Sequence, residues 1–309
     1  MIATRRRVVL GCAALVAAPA VRGADAPLRI VVAYPTGGVS DEIARLLAER
    51  LAIERGQPVM VENRPGNGGG IAMEMLARAP ADGRLLVFSA LSPLTMHPLR
   101  YDPLRDIAPV AAVMATATLV AGTSALPAES FAQMVALARA QPGTLRWATT
   151  GVGTTGHRVF EAIASALALQ MVHIPYKGGG QSLVDALGGQ FELMSTNVAA
   201  TQLRLVAQQR LKALAVGAPR RLPALPAVPT LAELGVPQAN LVSRFGLFAP
   251  GAAPRPWRDE VNAQVQRALR SPVLQARLRA GHNETAVGGV DPFEAAVCAE
   301  LARPAGCHR

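Results

Sequence analysis

Short apolar runs alternate along this chain with longer stretches whose apolar residues recur every three or four positions. Leu28–Ala33 is apolar apart from Arg29 and reads as a buried strand. The next segment, 40–55, sets Ile43, Leu46, Leu47 and Leu51 on one helical face, with Ser40 as cap and Gly56 as stop. The same pattern predicts strands over 59–62, 85–89, 146–149, 171–174, 191–196 and 213–216. It predicts helices over 71–78, 127–140, 157–168, 181–187, 200–209 and 257–281. Residues 108–122 are one long apolar run, and prolines from Pro219 to Pro237 mark an extended connection. Strand–helix alternation of this kind builds mainly parallel sheets, so the fold class is α/β. The expected division is one lobe from 27–122 with 223–309 and a second from 123–222. Two chain crossings between them would form a hinge.

Two glycine turns stand at strand-to-helix junctions. One is Tyr34-Pro35-Thr36-Gly37-Gly38; the other runs from Thr149 through Gly151, Val152 and Gly153 to Gly156. A glycine turn that opens a helix offers unpaired N–H groups and the positive end of the helix dipole, a ready anion site. Ligands of open α/β sheets sit beyond the carboxyl ends of the strands. Two such turns therefore suggest two lobes closing on one small anion.

Composition narrows the field. The 309 residues are half apolar and 4% aromatic, which suits a globular two-domain protein. Arg5-Arg6-Arg7 followed by the apolar run 8–18 and small residues to Ala26 reads as an export signal over 1–26, which places the mature chain in the periplasm. Residues 4–10 resemble a twin-arginine signal, and general secretory export stays open beside it. The nearby Cys12 precedes most of the apolar region, which argues against a lipoprotein site. No other segment approaches the ~20 apolar residues of a membrane span. Cleavage after residue 23 would remove four arginines and no acid, lowering the formal charge from +10 to +6. The remaining arginines are scattered without interleaved aromatics, so nucleic acid is not an expected partner. Cys298 and Cys307 could pair in an exported protein or remain free. Five dispersed histidines and no CxxC spacing predict no metal site, and no cofactor is expected.

Several segments then resemble a known family. Leu28–Arg45, Val61–Gly70, Tyr101–Asp106, His173–Gly178, Asp185–Gln190, Leu211–Val216, Leu225–Glu233 and Gly246–Pro250 stand in its order and spacing. Together they look like the Bug family of periplasmic solute-binding receptors, related to the TctC subunits of tripartite tricarboxylate transporters. The resemblance implies a two-lobe Venus-flytrap fold of type II, and a small carboxylate ligand: a di- or tricarboxylate, an acidic amino acid or its amide, or an aromatic acid. It implies ligand contacts from Pro35, Gly37 and Gly38 in the first turn, and from Thr149, Thr150, Gly151, Val152, Gly153 and Thr154 in the second. Asp185 matches a position that can meet a ligand amino group, or is a helix-surface acid. Asn197 matches a polar position after a strand, or is a turn residue. Tyr34 and Ser89 end strands that face the expected cleft. Arg244 replaces a usual tryptophan, and either faces the cleft or faces solvent. The tail Cys298–Arg309 lacks the family's usual final helix ending.

The expected protein is a monomeric receptor with no catalytic residue. Its partners would be permease subunits of the TctA/TctB type or, alternatively, a sensor kinase that reads the ligand state. Gly151–Gly156 is also a literal GxGxxG, the mark of a dinucleotide enzyme, but the acid expected at the end of the next strand is missing from 172–176. A serine hydrolase is disfavoured because no Gly-x-Ser-x-Gly elbow occurs.

Overall fold

The computed structural model describes residues 27–96 and 98–302. The expected signal at 1–26 and Cys307 lie outside these residues. The first lobe opens with β1 (Leu28–Val32), α1 (Val39–Arg55), β2 (Val59–Asn63), α2 (Gly70–Ala77) and β3 (Leu85–Ala90). β1 lies between β2 and β3, parallel to both, so the carboxyl ends of all three strands share one edge. The apolar run after Asp106 forms one strand, β4 (Ile107–Gly122).

The middle of the chain adds α3 (Phe131–Ala140), β5 (Arg146–Thr149), α4 (Thr155–Leu167), β6 (Val172–Pro175), α5 (Gly179–Leu187), β7 (Leu193–Asn197), α6 (Ala200–Ala207) and β8 (Lys212–Gly217). β5 is parallel to both β6 and β7. The chain then returns through β9 (Val242–Pro250), which inserts antiparallel between β3 and β4. It ends with α7 (Arg255–Leu269), α8 (Pro272–Ala280), β10 (Asn283–Thr285) and α9 (Val290–Leu301).

Each lobe buries its own sheet between helical layers. In the first, Ile30, Leu47, Phe88 and Val265 pack on one face, and Met73, Leu76, Phe248 and Phe293 on the other. In the second, Trp147, Val159, Ile163 and Leu193 form one layer, and Phe191, Met194, Leu205 and Val216 the other. Burying Trp147 requires a partner for its indole N–H. It donates to Ser195 Oγ at 3.1 Å, which donates in turn to Gly156 O at 2.6 Å.

β4 belongs to both sheets. Ile107–Ala117 pair with β9, and Thr118–Gly122 pair with β7 and β8. Leu231, Val236 and Ala239 join the Trp147 core, so the proline-rich connection packs with the middle of the chain well past residue 222. The 257–281 pattern, expected as one helix, is two. Pro272 lacks an N–H and its ring clashes with the preceding turn, while Ser271 Oγ accepts the Leu274 N–H at 3.3 Å and caps a new helix. The C-terminal segment forms α9 as far as Leu301, with Cys298 exposed on it, and the rest of the divergent tail beyond Ala302 lies outside the described residues.

The two crossings are tied together by side chains. Thr118 Oγ1 donates to Leu241 O at 2.8 Å, Thr116 Oγ1 to Val198 O at 3.0 Å, and Ser243 Oγ to Asn197 Oδ1 at 2.7 Å. Gly217 lies inside this knot. A Cβ built there would stand 2.2 Å from Thr118 Oγ1 and 2.4 Å from Leu241 O. Gly217→Ala should therefore cost about 1–3 kcal/mol of overpacking, read as a lowered urea midpoint. An unchanged midpoint would mean that the crossing has room to spare.

Candidate ligand cleft

Six strand ends meet at the gap between the lobes. The first lobe brings the loops after β1, β2 and β3, and the second those after β5, β6 and β7. The loops touch. A Cβ built on Gly68 would stand 2.9 Å from Val152 O and 3.1 Å from Thr154 Cγ2. One on Gly151 would stand 3.2 Å from Tyr176 O and 3.5 Å from Gly68 N. Met96 fills the space above Gly153, and Pro35 packs on Gly178. Gly68, Gly151, Gly153 and Gly178 all hold positive φ, which side-chain-bearing residues rarely adopt.

The first turn is held by an acid that sequence reasoning missed. Asp41, buried in the first turn of α1, accepts the Gly37 N–H at 3.0 Å and the Arg45 Nε–H at 3.0 Å. Asn63, at the end of β2, donates to Asp41 Oδ1 at 2.9 Å and to Tyr34 O at 3.0 Å. Burial by itself would raise the Asp41 pKa, but the hydrogen bonds from Arg45, Gly37 and Asn63 outweigh it and hold the carboxyl below its usual range. An acid four residues past a glycine turn, at a helix start, was the available signal. The Gly37 amide is thus committed to the protein itself.

Thr149 and two histidines hold the second turn. Thr149 Oγ1 accepts the Gly151 N–H at 3.3 Å and lies 2.8 Å from His173 Nε2. His157 Nδ1 accepts the Gly153 N–H at 3.2 Å, and its ring centroid lies 4.3 Å from that of His173. Thr154 caps α4 by accepting the His157 N–H, and its hydroxyl donates to Gly151 O at 2.7 Å. After these commitments, the amides of Gly38, Gly68, Thr150 and Val152 have no acceptor among the described residues. They are donors on facing loops.

The remaining candidates are arranged differently. Tyr34 places its ring edge-on to Phe245, and its hydroxyl accepts the Ala90 N–H at 3.0 Å. Ser89 is wholly buried beneath Gly69, where a Cβ would stand 3.3 Å from its Oγ. Asn197 lies at the hinge, its Oδ1 taken by Ser243. Asp185 accepts from Tyr176 Oη and Gln181 Nε2, both at 2.7 Å. Burial, and then the Asp185 carboxylate, push the Tyr176 pKa up to about 12. Arg244 is exposed beside a depression of about 160 Å³ near Pro292 and Phe293. A larger cavity of about 400 Å³ flanks the loop contact, lined by Asn67, Glu74, Met96 and Arg100 of one lobe and Val152 and Gly153 of the other.

A family model described as "Tripartite tricarboxylate transporter family receptor", TctC, matches residues 43–297. The chain belongs to that family. BugT of Bordetella pertussis is 32% identical over 289 residues, which cover 92% of this chain and 88% of BugT. Among solved structures, Rpa4515 of R. palustris with adipate matches at 31% identity and a TM-score of 0.81, over 89% of this chain and 94% of that one. MatC from Rhodopseudomonas palustris with bound malate matches at 26% identity and a TM-score of 0.82, over 89% and 96% of the two chains.

In this TctC-family receptor the GxGxxG run serves contact between elements. Gly156 lets α4 approach β7, where a Cβ would stand 2.9 Å from Ser195 O, and Gly151 meets Gly68 of the opposite lobe. Burial holds the His173 pKa below its ordinary 6.5. The folded receptor therefore binds fewer protons at this site than the unfolded chain. Its contribution is complete above about pH 6.5 and is lost as pH falls through the lower folded value. Urea midpoints should drop between pH 7.5 and pH 5.5, and His173→Gln, which keeps a partner for Thr149, should flatten part of that drop. Parallel profiles for the two proteins would remove His173 from the account.

Proposed function

We propose that this receptor is exported to the periplasm, captures a small carboxylate between its lobes, and delivers it to membrane permease subunits of the TctA/TctB type. The observation that carries the reading is the set of uncommitted amides, from Gly38 and Gly68 on one side and Thr150 and Val152 on the other. Fixed N–H donors bind a carboxylate through charge-assisted bonds, without the cost of desolvating a cationic side chain. Bridging waters serve nearly as well as direct contacts. Malate and adipate in the related structures are carboxylates of the expected size. On this reading the moving bodies are 27–117 with 242–302, and 118–241, because pairing changes partner at Thr118 and the chain returns at Val242. Pro35, Gly37, Thr149, Gly151, Gly153 and Thr154 shape the two turns, and Asp185 with Tyr176 lies toward the distal end of the guest.

Thermal shifts against a library of di- and tricarboxylates, acidic amino acids and aromatic acids test the proposal. An acid present at 100 times its Kd should stabilise the receptor by roughly 2.7 kcal/mol. A flat response to every acid would sink it. Gly38→Val tests the first turn. Gly38 has extended backbone at φ −83° and ψ 167°, and a Cβ there would meet only Pro35 O, at 3.7 Å. The variant should keep the wild-type unfolding temperature and lose the acid-induced shift. An intact shift would free the turn of any role in binding.

A further inference from the structure

We propose that the cavity beside the loop contact is a second subsite, which receives the far end of an elongated dicarboxylate and reads its second acid group with Arg100; the inference rests on the reading of this chain as a carboxylate receptor. The cavity measures about 400 Å³ and takes its lining from both lobes. Val152, on the second lobe's wall, carries one of the uncommitted amides, and Asn67, on the first lobe's wall, directly precedes Gly68, which carries another. A carboxylate held by those two amides has the cavity beside it. Such a space holds on the order of a dozen waters, so a short acid would leave most of it wet.

The walls decide what the far end can be. Pro93, Met96, Leu99 and Val152 present carbon to the cavity, which fits a hydrocarbon spacer. Arg100 lines it as well, with its side chain 77% exposed. Among the described residues its one acidic neighbour is Glu74, at 3.7 Å, beyond hydrogen-bond reach. Glu74 already accepts from Arg78 Nη2 at 2.6 Å. Two guanidinium groups therefore share one carboxylate, which leaves a net positive charge at the cavity and donors to spare on Arg100. A second carboxylate turned toward Asp185 would instead meet a like charge, whose oxygens already accept from Tyr176 and Gln181. The cavity is the direction in which a diacid gains.

Titration calorimetry of the mature chain with suberate, octanoate and succinate tests this: a long diacid, its chain-matched monoacid and a short diacid. Wild type should bind suberate more tightly than either of the others. Because Arg100 is largely exposed, the advantage over octanoate should be about fivefold. Arg100→Gln should erase that advantage and leave succinate unchanged. Leu99→Trp, which fills the cavity, should weaken suberate about tenfold or more and also spare succinate. Circular dichroism melting qualifies both variants as folded, and Arg100→Gln, at an exposed position, is the decisive one. A wild type that holds succinate as tightly as suberate, or an Arg100→Gln variant that still prefers suberate to octanoate, would overturn the proposal. Either result leaves the carboxylate reading standing, since that reading fails only when the whole acid library gives no response.

Discussion

Two backbones meet across the cleft because neither carries a side chain at the point of contact. Gly68 of the first lobe and Gly151 of the second come close enough that a methyl group on either would press on peptide atoms of its neighbours. The remaining amide donors of these loops are useful only in this arrangement. An N–H group is a weak anion ligand when water competes for it and a strong one when it is fixed and sheltered. The glycines bring the donors together, and the side chains behind each turn keep them still.

The two lobes fix their turns by different chemistry, and the difference is electrical. Asp41 and Glu42 fill the first turn of α1 with negative charge, so the dipole of that helix is largely answered within the protein. α4 carries no acid in its first turn; its cap is the neutral Thr154, backed by imidazoles. The positive helix end that no acid answers within its first turn therefore belongs to the second lobe.

Local features of the fold were legible in the sequence. The strand–turn–helix units that begin at β1, β2 and β5 follow from apolar runs and glycine punctuation, and both turns fall where the glycines indicated. Non-local features were hidden. β9 reads as a modest apolar segment, and nothing in it reveals that it will insert between β3 and β4. β10 is three residues long and is defined by its partner. The site shows the same split. Thr149 could be named from the turn, but His173 reaches it only because β5 and β6 are neighbours. Ser89 falls on the strand expected for it, and Asn197, expected just after a strand, is the last residue of β7. Which way each would face, under Gly69 in one case and toward Ser243 in the other, depends on pairing that the primary structure does not display. The break at Pro272 was in plain sight, and the periodicity running through it outweighed the proline.

The insertion of β9 has a consequence for the order in which this molecule can be assembled. The first lobe is discontinuous: its sheet has a gap between β3 and β4 that is filled only by residues 242–250, with α7 and α8 arriving later still to cover one face. The second lobe is encoded without interruption and needs nothing after Leu241 to complete its core. As the chain is made from its N-terminus, the middle can settle while the beginning waits, with Val87 and Phe88 on an unpaired edge. Such an edge invites pairing with foreign strands. The interval before β9 arrives is when this protein would most need a chaperone's protection.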